Sequence, residues 1–336
     1  MKDNMSMIMS AEEQAMRGEY IGKDTVLELL SLDPLSEDCS ALGKAARRIA
    51  SRFCDDTAIV GSSIGLDLVP CSMSCRFCSL GEKWRIFPEP YVMPDDDVVD
   101  LIRESVDQGF AKFTLRTTEF YDIDALCRLR RRIADEVPGD YVISANTGEL
   151  DSEKARKLKE AGYVGIYHAV RLREGIDTPI PVETRIATIR AAQEAGMFVA
   201  SGVDPIGIEH TDSEIADLID LYRELRPNTV CTMKRINVKG TPVGDLEEIG
   251  DMRLAQIAAI IRLAGAGVWR NVAVHPVTEQ AIRWGANTVS LELGANPRDD
   301  KYEGKKWSTV GREMAVKIFQ ESGYKVDSVS AYTRRH

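Results

Sequence analysis

The sequence predicts an α/β fold, a (β/α)8 TIM-type barrel carrying an N-terminal helical extension. Three observations predict it. Short apolar, β-branched runs recur eight times between residues 63 and 292. Longer stretches with apolar residues at helical period separate them. The joins carry the Asp, Ser or Pro that opens a helix and the Gly or Pro that closes one. An open, doubly wound sheet is the competing architecture, and the even spacing of eight units favours closure into a barrel.

The elements follow in order. Residues 1–56 precede the barrel and read as two or three helices. Strands are expected at 63–69, 112–116, 141–145, 164–168, 198–203, 229–236, 268–274 and 288–292. Between them, a helix at 95–108 follows Pro94 and stops at Gly109. Others at 152–161 and 182–195 stop at Gly162 and Gly196, and one at 212–225 stops before Pro227. The barrel domain is expected over 57–310, with 311–336 forming a C-terminal helix and tail packed on it. In such a barrel, chemistry gathers at the C-terminal ends of the strands.

Composition narrows the class. The chain has 336 residues, 44% hydrophobic and 29% charged, which suits an ordinary globular protein. No apolar run reaches the roughly 18 residues of a membrane span. The first twenty residues lack the charged-then-apolar pattern of a secretory leader. A cytoplasmic protein without a membrane partner is expected. The net charge of −10, with basic residues dispersed apart from runs such as Arg130 to Arg132, argues against a nucleic-acid partner.

Seven cysteines are present, an odd number in a long chain, so a disulfide framework is not expected. Three of them, Cys71, Cys75 and Cys78, form C-x3-C-x2-C directly after the first expected strand, with Phe77 before the last. Three thiolates on one short loop can hold three corners of a [4Fe–4S] cubane and leave the fourth iron open. A zinc site would need a fourth ligand nearby, and the first His of the chain is His168. A thioredoxin-like C-x-x-C would lack the additional cysteine.

This spacing after a first barrel strand resembles the radical S-adenosylmethionine (SAM) superfamily. The resemblance implies that SAM chelates the open iron through its amino and carboxylate groups. One electron then cleaves a C–S bond, and the resulting 5′-deoxyadenosyl radical abstracts hydrogen from a small-molecule substrate. Over roughly residues 60–310 the chain resembles biotin synthase and its relatives, the [FeFe]-hydrogenase maturase and methylornithine synthase. By that resemblance Glu119, in Arg116-Thr117-Thr118-Glu119, receives the SAM amino group. Arg171, Arg173 and Glu174 supply polar SAM ligands after the fourth strand. Arg185 holds the SAM carboxylate, which suits a guanidinium fork. Gly202, Ile206 and Gly207 pack on adenine, with Phe77 beside the adenine or the cluster. Asn237 faces the substrate from an Asn-Val-Lys-Gly-Thr-Pro run. A solvated loop acid at 119, a surface arginine at 185 and a core Phe77 are the plain alternatives.

The departures matter equally. Biotin synthase holds a second, [2Fe–2S] cluster, and the corresponding positions here are Thr114, Ser144, Ser201 and His275. None is a cysteine, and of the rest only Cys231 is expected to face the barrel interior. His275 ends the seventh strand and reads as an acid, base or substrate clamp, with a structural histidine the alternative. His168 carries the same ambiguity. The leading expectation is therefore a single-cluster enzyme that rearranges, cleaves or methylates a small anionic metabolite in cofactor or amino-acid biosynthesis. A sulfur-inserting biotin- or lipoyl-synthase-like enzyme and a non-catalytic iron–sulfur scaffold are the alternatives. The resemblance also implies flavodoxin or ferredoxin as electron donor.

Overall fold

The computed structural model describes residues 4–87, 89–301 and 311–326. Eight parallel strands close into a barrel: β1 (Thr57–Gly65), β2 (Lys112–Arg116), β3 (Val142–Asn146), β4 (Gly165–Tyr167), β5 (Phe198–Ile206), β6 (Thr229–Lys234), β7 (Asn271–His275) and β8 (Thr288–Gly294). Each pairs with its neighbour in sequence, and β8 returns to β1 over Ile59↔Thr288 to Gly65↔Gly294. Lys325–Val326 adds a short parallel strand beside the start of β1.

Three helices precede the barrel, α1 (Asn4–Met16), α2 (Lys23–Leu30) and α3 (Glu37–Cys54). The outer ring consists of α4 (Asp95–Asp107), α5 (Ile123–Glu136), α6 (Ser152–Glu160), α7 (Val182–Glu194), α8 (Asp212–Leu225), α9 (Asp251–Ala264) and α10 (Glu279–Arg283), followed by α11 (Arg312–Glu321). Most ring helices are amphipathic, as a helix with one solvent face must be. The exception is α9, buried continuously from Leu254 to Ala264 because α1, α2 and α3 cover its outer side. Gln256 fixes that arrangement. Its buried amide donates to the carbonyls of Leu29 and Leu32, both at 2.9 Å, at and just beyond the end of α2.

The first and seventh strands differ from expectation. The first forms over Thr57–Gly65 rather than 63–69, since both of its faces are buried and alternation gives no register. The chain leaves the barrel after Gly65, where a Cβ would lie 1.6 Å from the Ala295 carbonyl oxygen. Asp67–Leu68 instead pairs antiparallel with Tyr91–Val92 and brackets the cysteine loop. The seventh strand begins at Asn271, because Trp269 tucks its indole against Gly265 at the end of α9. The expected C-terminal helix forms over Arg312–Glu321, while residues 302–310 and 327–336 lie outside the described residues.

Outward strand residues such as Ile64, Phe113, Leu115 and Ile143 pack under the helices. The inward ones, including Ser63, Lys112, Thr114 and Ser144, are mostly small or polar. A barrel lined this way does not fill itself with stacked aliphatic layers. It encloses a cavity.

Candidate functional site

The cavity has a volume of about 250 Å³ and runs from the first residues of the strands to the loops beyond their C-terminal ends. Cys71, Cys75 and Cys78 all line it. Their loop is closed by its own backbone. Cys71 N–H donates to Leu80 O at 2.7 Å, Glu82 N–H to Cys71 O at 3.0 Å, and Cys78 N–H to Cys75 O at 2.9 Å. Gly81 is required here, because a Cβ would lie 2.3 Å from Trp84 Nε1. Asp177 anchors the loop from outside, accepting Arg76 N–H at 2.9 Å.

Burial raises all three thiols, Cys75 to about 12 and Cys78 to about 11. Neighbouring sulfurs raise Cys75 and Cys78 further and Glu119 raises Cys71, whereas Arg171 pulls Cys75 and Cys78 down. Such thiols become thiolates when a metal takes the place of the proton. Among the described residues no three His, Cys, Asp or Glu side chains converge on one metal ion. Three thiolates on one short loop suit a cubane, in which each binds a different iron. The donor set therefore fits a [4Fe–4S] cluster with one iron lacking a protein ligand.

Beside the cysteines stands a wall rich in acids. Arg185, from α7, is 6% exposed and donates Nη1 to Glu149 Oε1 at 2.6 Å, with Glu119 Oε2 at 3.9 Å. Its Nε lies 3.3 Å from Glu174 Oε2 without hydrogen-bond geometry. Burial opposes ionisation of Glu149, but His168, Thr188 and Arg185 hold it down at about 2. Burial raises Glu119 despite Arg185. Gly148 lets Glu119 approach, since a Cβ would lie 1.9 Å from its carbonyl oxygen. Nearby, the Arg171 guanidinium sits 5.6 Å from the centre of the Phe77 ring and donates to buried Asp204 at 3.1 Å. Tyr167 donates its hydroxyl to the other Asp204 oxygen.

The facing wall is rich in cations. Glu292, from β8, accepts from Arg116 at 2.9 Å, from Asn296 at 2.8 Å and from Arg298. Arg116 also donates to Ser63 Oγ at 2.9 Å and Ala295 O at 2.6 Å. His275 Nε2 lies 3.5 Å from Glu292 Oε2. Burial, followed by Arg298 and Arg116, pushes this imidazole down to about 4 against the pull of Glu292. It is neutral at pH 7.

Phe77, Glu119, Arg171, Arg185 and His275 thus join the three cysteines around one cavity. Five expected residues do not reach it, and a sixth reaches only its second layer. Arg173 turns away with a left-handed φ of 56° and pairs with Glu214 at 2.7 Å, at the start of α8. Asn237 donates to Leu246 O and accepts from Arg235, bordering a separate hollow with Lys239 and Arg298. Gly202 lies behind Tyr167, Ile206 belongs to the core, and Gly207 packs against Glu209; Pro205 lines the cavity in their place. Glu174 sits behind Arg185, accepting Arg171 N–H at 2.8 Å. Ser201 also faces away, donating to His168 O at 2.7 Å, whereas Thr114, Ser144 and Cys231 face inward. Glu149, Asp204, Glu292 and Lys112 were missed. Glu149 follows the end of β3 by three residues, a rim position from which an acid can be anticipated.

Residues 69–222 match the family model of the Radical SAM superfamily. The chain is 26% identical to biotin synthase 2 of Corynebacterium diphtheriae over 341 residues, covering 97% of this chain and 98% of that protein. In fold it resembles the [FeFe]-hydrogenase maturase HydG (TM-score 0.80, 16% identity, 98% of this chain and 78% of that one). It also resembles methylornithine synthase PylB (TM-score 0.79, 17% identity, 96% and 98%). The family match and the biotin synthase relatives support a radical SAM enzyme. Within that superfamily these matches support a biotin synthase-like branch, and the family implies a [4Fe–4S] cluster and SAM.

Proposed function

We propose that the enzyme carries a single [4Fe–4S] cluster on Cys71, Cys75 and Cys78 and abstracts hydrogen from a small anionic metabolite held inside the barrel. Its product arises by rearrangement, cleavage or methyl transfer. One observation carries this reading: beyond the cluster loop, Cys231 is the sole cysteine among the described residues lining the cavity. Cluster and SAM together supply one-electron chemistry that ends in hydrogen abstraction. The residues divide the rest of the work. Arg185 takes the SAM carboxylate and Glu119 its ammonium, with Glu149 holding Arg185 in place. Phe77 and Arg171 flank the loop, and neutral His275 accepts a hydrogen bond or proton from substrate. The helical extension, barrel and C-terminal helix act as one cytoplasmic catalytic unit that draws electrons from a flavodoxin or ferredoxin.

Sulfur insertion is the second reading, favoured by the likeness to biotin synthase 2 over nearly the whole chain. It needs a further cluster. Iron content after anaerobic reconstitution separates the two. About four irons per chain, and almost none in the Cys71/Cys75/Cys78 triple-Ala variant, support one cluster. Iron persisting in the variant supports sulfur insertion.

A further inference from the structure

The deep end of the cavity holds a group that neither the cluster nor the SAM wall uses. Lys112 is the first residue of β2, Thr229 the first of β6 and Thr288 the first of β8. All three line the cavity and are at most 7% exposed. Thr288 Oγ1 is buried with no hydrogen-bond partner among the described residues. Beside them, Ile59, the register partner of Thr288, and Val142, that of Lys112, form an apolar cluster with Val164 and Phe198. The stem of Lys112 passes over Gly61 of β1, where a Cβ would lie 3.2 Å from its Cδ. A glycine there gives a long side chain room to lie inside the barrel.

We propose that this floor is a carboxylate-binding subsite, with the Lys112 ammonium as counter-ion and the Thr288 hydroxyl as a second donor. The inference rests on the reading of the cavity as the substrate chamber. It fixes the substrate's class and polarity: an aliphatic carboxylic acid enters acid-end first. Its carbon chain then points towards the cysteine loop, which stands at the opposite end of the strands. Four residue steps along β2 put the rim about 13 Å above the floor, so the chain is short.

Charge supports the geometry. Burial lowers the Lys112 ammonium to about 8, which leaves it protonated at neutral pH but poorly solvated. Cys231, the neighbouring thiol, is raised by burial and keeps its proton, adding no negative charge to the floor. A carboxylate here offers the ammonium a charge-assisted hydrogen bond. Phosphate, with more charge and more acceptors, suits one ammonium and one hydroxyl less well.

The test uses the full, reconstituted chain and titration calorimetry with acetate, butyrate, succinate and glutarate, and with acetamide and inorganic phosphate as controls. At least one carboxylate should bind one-to-one. Lys112→Met should weaken it at least tenfold, and Thr288→Val two- to fivefold. Acetamide should bind none of the three proteins. The proposal is overturned if wild type binds no carboxylate, if both variants bind as wild type does, or if phosphate binds in preference. Should Lys112→Met fail to fold, Thr288→Val decides. Iron content, measured on the same samples, reports the cluster reading separately: four irons without carboxylate binding sinks the floor subsite alone.

Discussion

The two walls of the cavity are built on opposite charge patterns. Near the cysteine loop, the Arg185 guanidinium stands among Glu119, Glu149 and Glu174. Across the barrel, one carboxylate, Glu292, stands among Arg116, Arg298 and His275. The first wall suits a ligand that carries positive charge together with one carboxylate, as SAM does. The second, with Lys112 below it, suits an anion. Two ligands of different polarity can therefore share one chamber without exchanging places. The cysteines stand at the roof, where the walls meet.

The comparison breaks most completely at that roof. Replacing Cys71 alone should abolish cluster assembly, because it removes one of three thiolates and water is a poor substitute. The expected iron content is near zero, with the fold retained by circular dichroism. Full iron content in Cys71→Ala would refute the ligand assignment.

The cation-rich wall should respond next most strongly. Glu292→Gln keeps the shape but leaves Arg116 and Arg298 buried without their shared carboxylate. Breaking a buried network of this kind costs about 3–5 kcal/mol. Denaturant unfolding of the apoprotein should show that loss. The same change at Glu149, whose side chain is 23% exposed, should cost clearly less. Equal losses would mean the two walls do not differ as described.

Acid should weaken the same wall. His275 falls from 6.5 to about 4 in the folded chain. Between those values the unfolded chain binds more protons than the folded one, so stability is complete above pH 6.5 and declines as pH falls towards 4. The contribution is about 3 kcal/mol at most. His168 and His210 are also lowered by burial, giving slopes of the same sign. His275→Gln should therefore flatten, without abolishing, the loss of apoprotein stability between pH 6.5 and 4.5. An unchanged slope would mean that His275 is not held neutral.

The roof was the part most legible in sequence. C-x3-C-x2-C is a local pattern, and its chemistry needs no knowledge of distant residues. Most strands were legible too, since apolar runs between helical stretches mark them wherever they fall. β1 was misplaced because all but its first residue are buried, which erases the alternation that sets register. The walls were only partly legible. Arg173 and Arg185 look alike in sequence, and only the turn at residue 173 sends one towards Glu214 and the other into the cavity. Lys112 opens a strand of ordinary composition, and nothing local separates an inward lysine from a solvated one. Its role depends on Gly61, a residue of another strand.

The smallest and most discriminating prediction sets those two arginines against each other. Arg185 lines the cavity and is engaged by Glu149. Arg173 is tied to Glu214 and the Glu209 carbonyl, outside it. Arg185→Ala should weaken SAM binding at least tenfold, about 1.4 kcal/mol, while iron content stays at the wild-type level. Arg173→Ala should leave SAM affinity within twofold and cost at most about 1 kcal/mol of stability, as expected of a partly exposed pair. Equilibrium dialysis with labelled SAM measures both. If Arg173→Ala lost SAM and Arg185→Ala kept it, the loop after β4 would have to turn inward when SAM binds. The acid-rich wall would then be a support for that loop rather than the ligand's own surface.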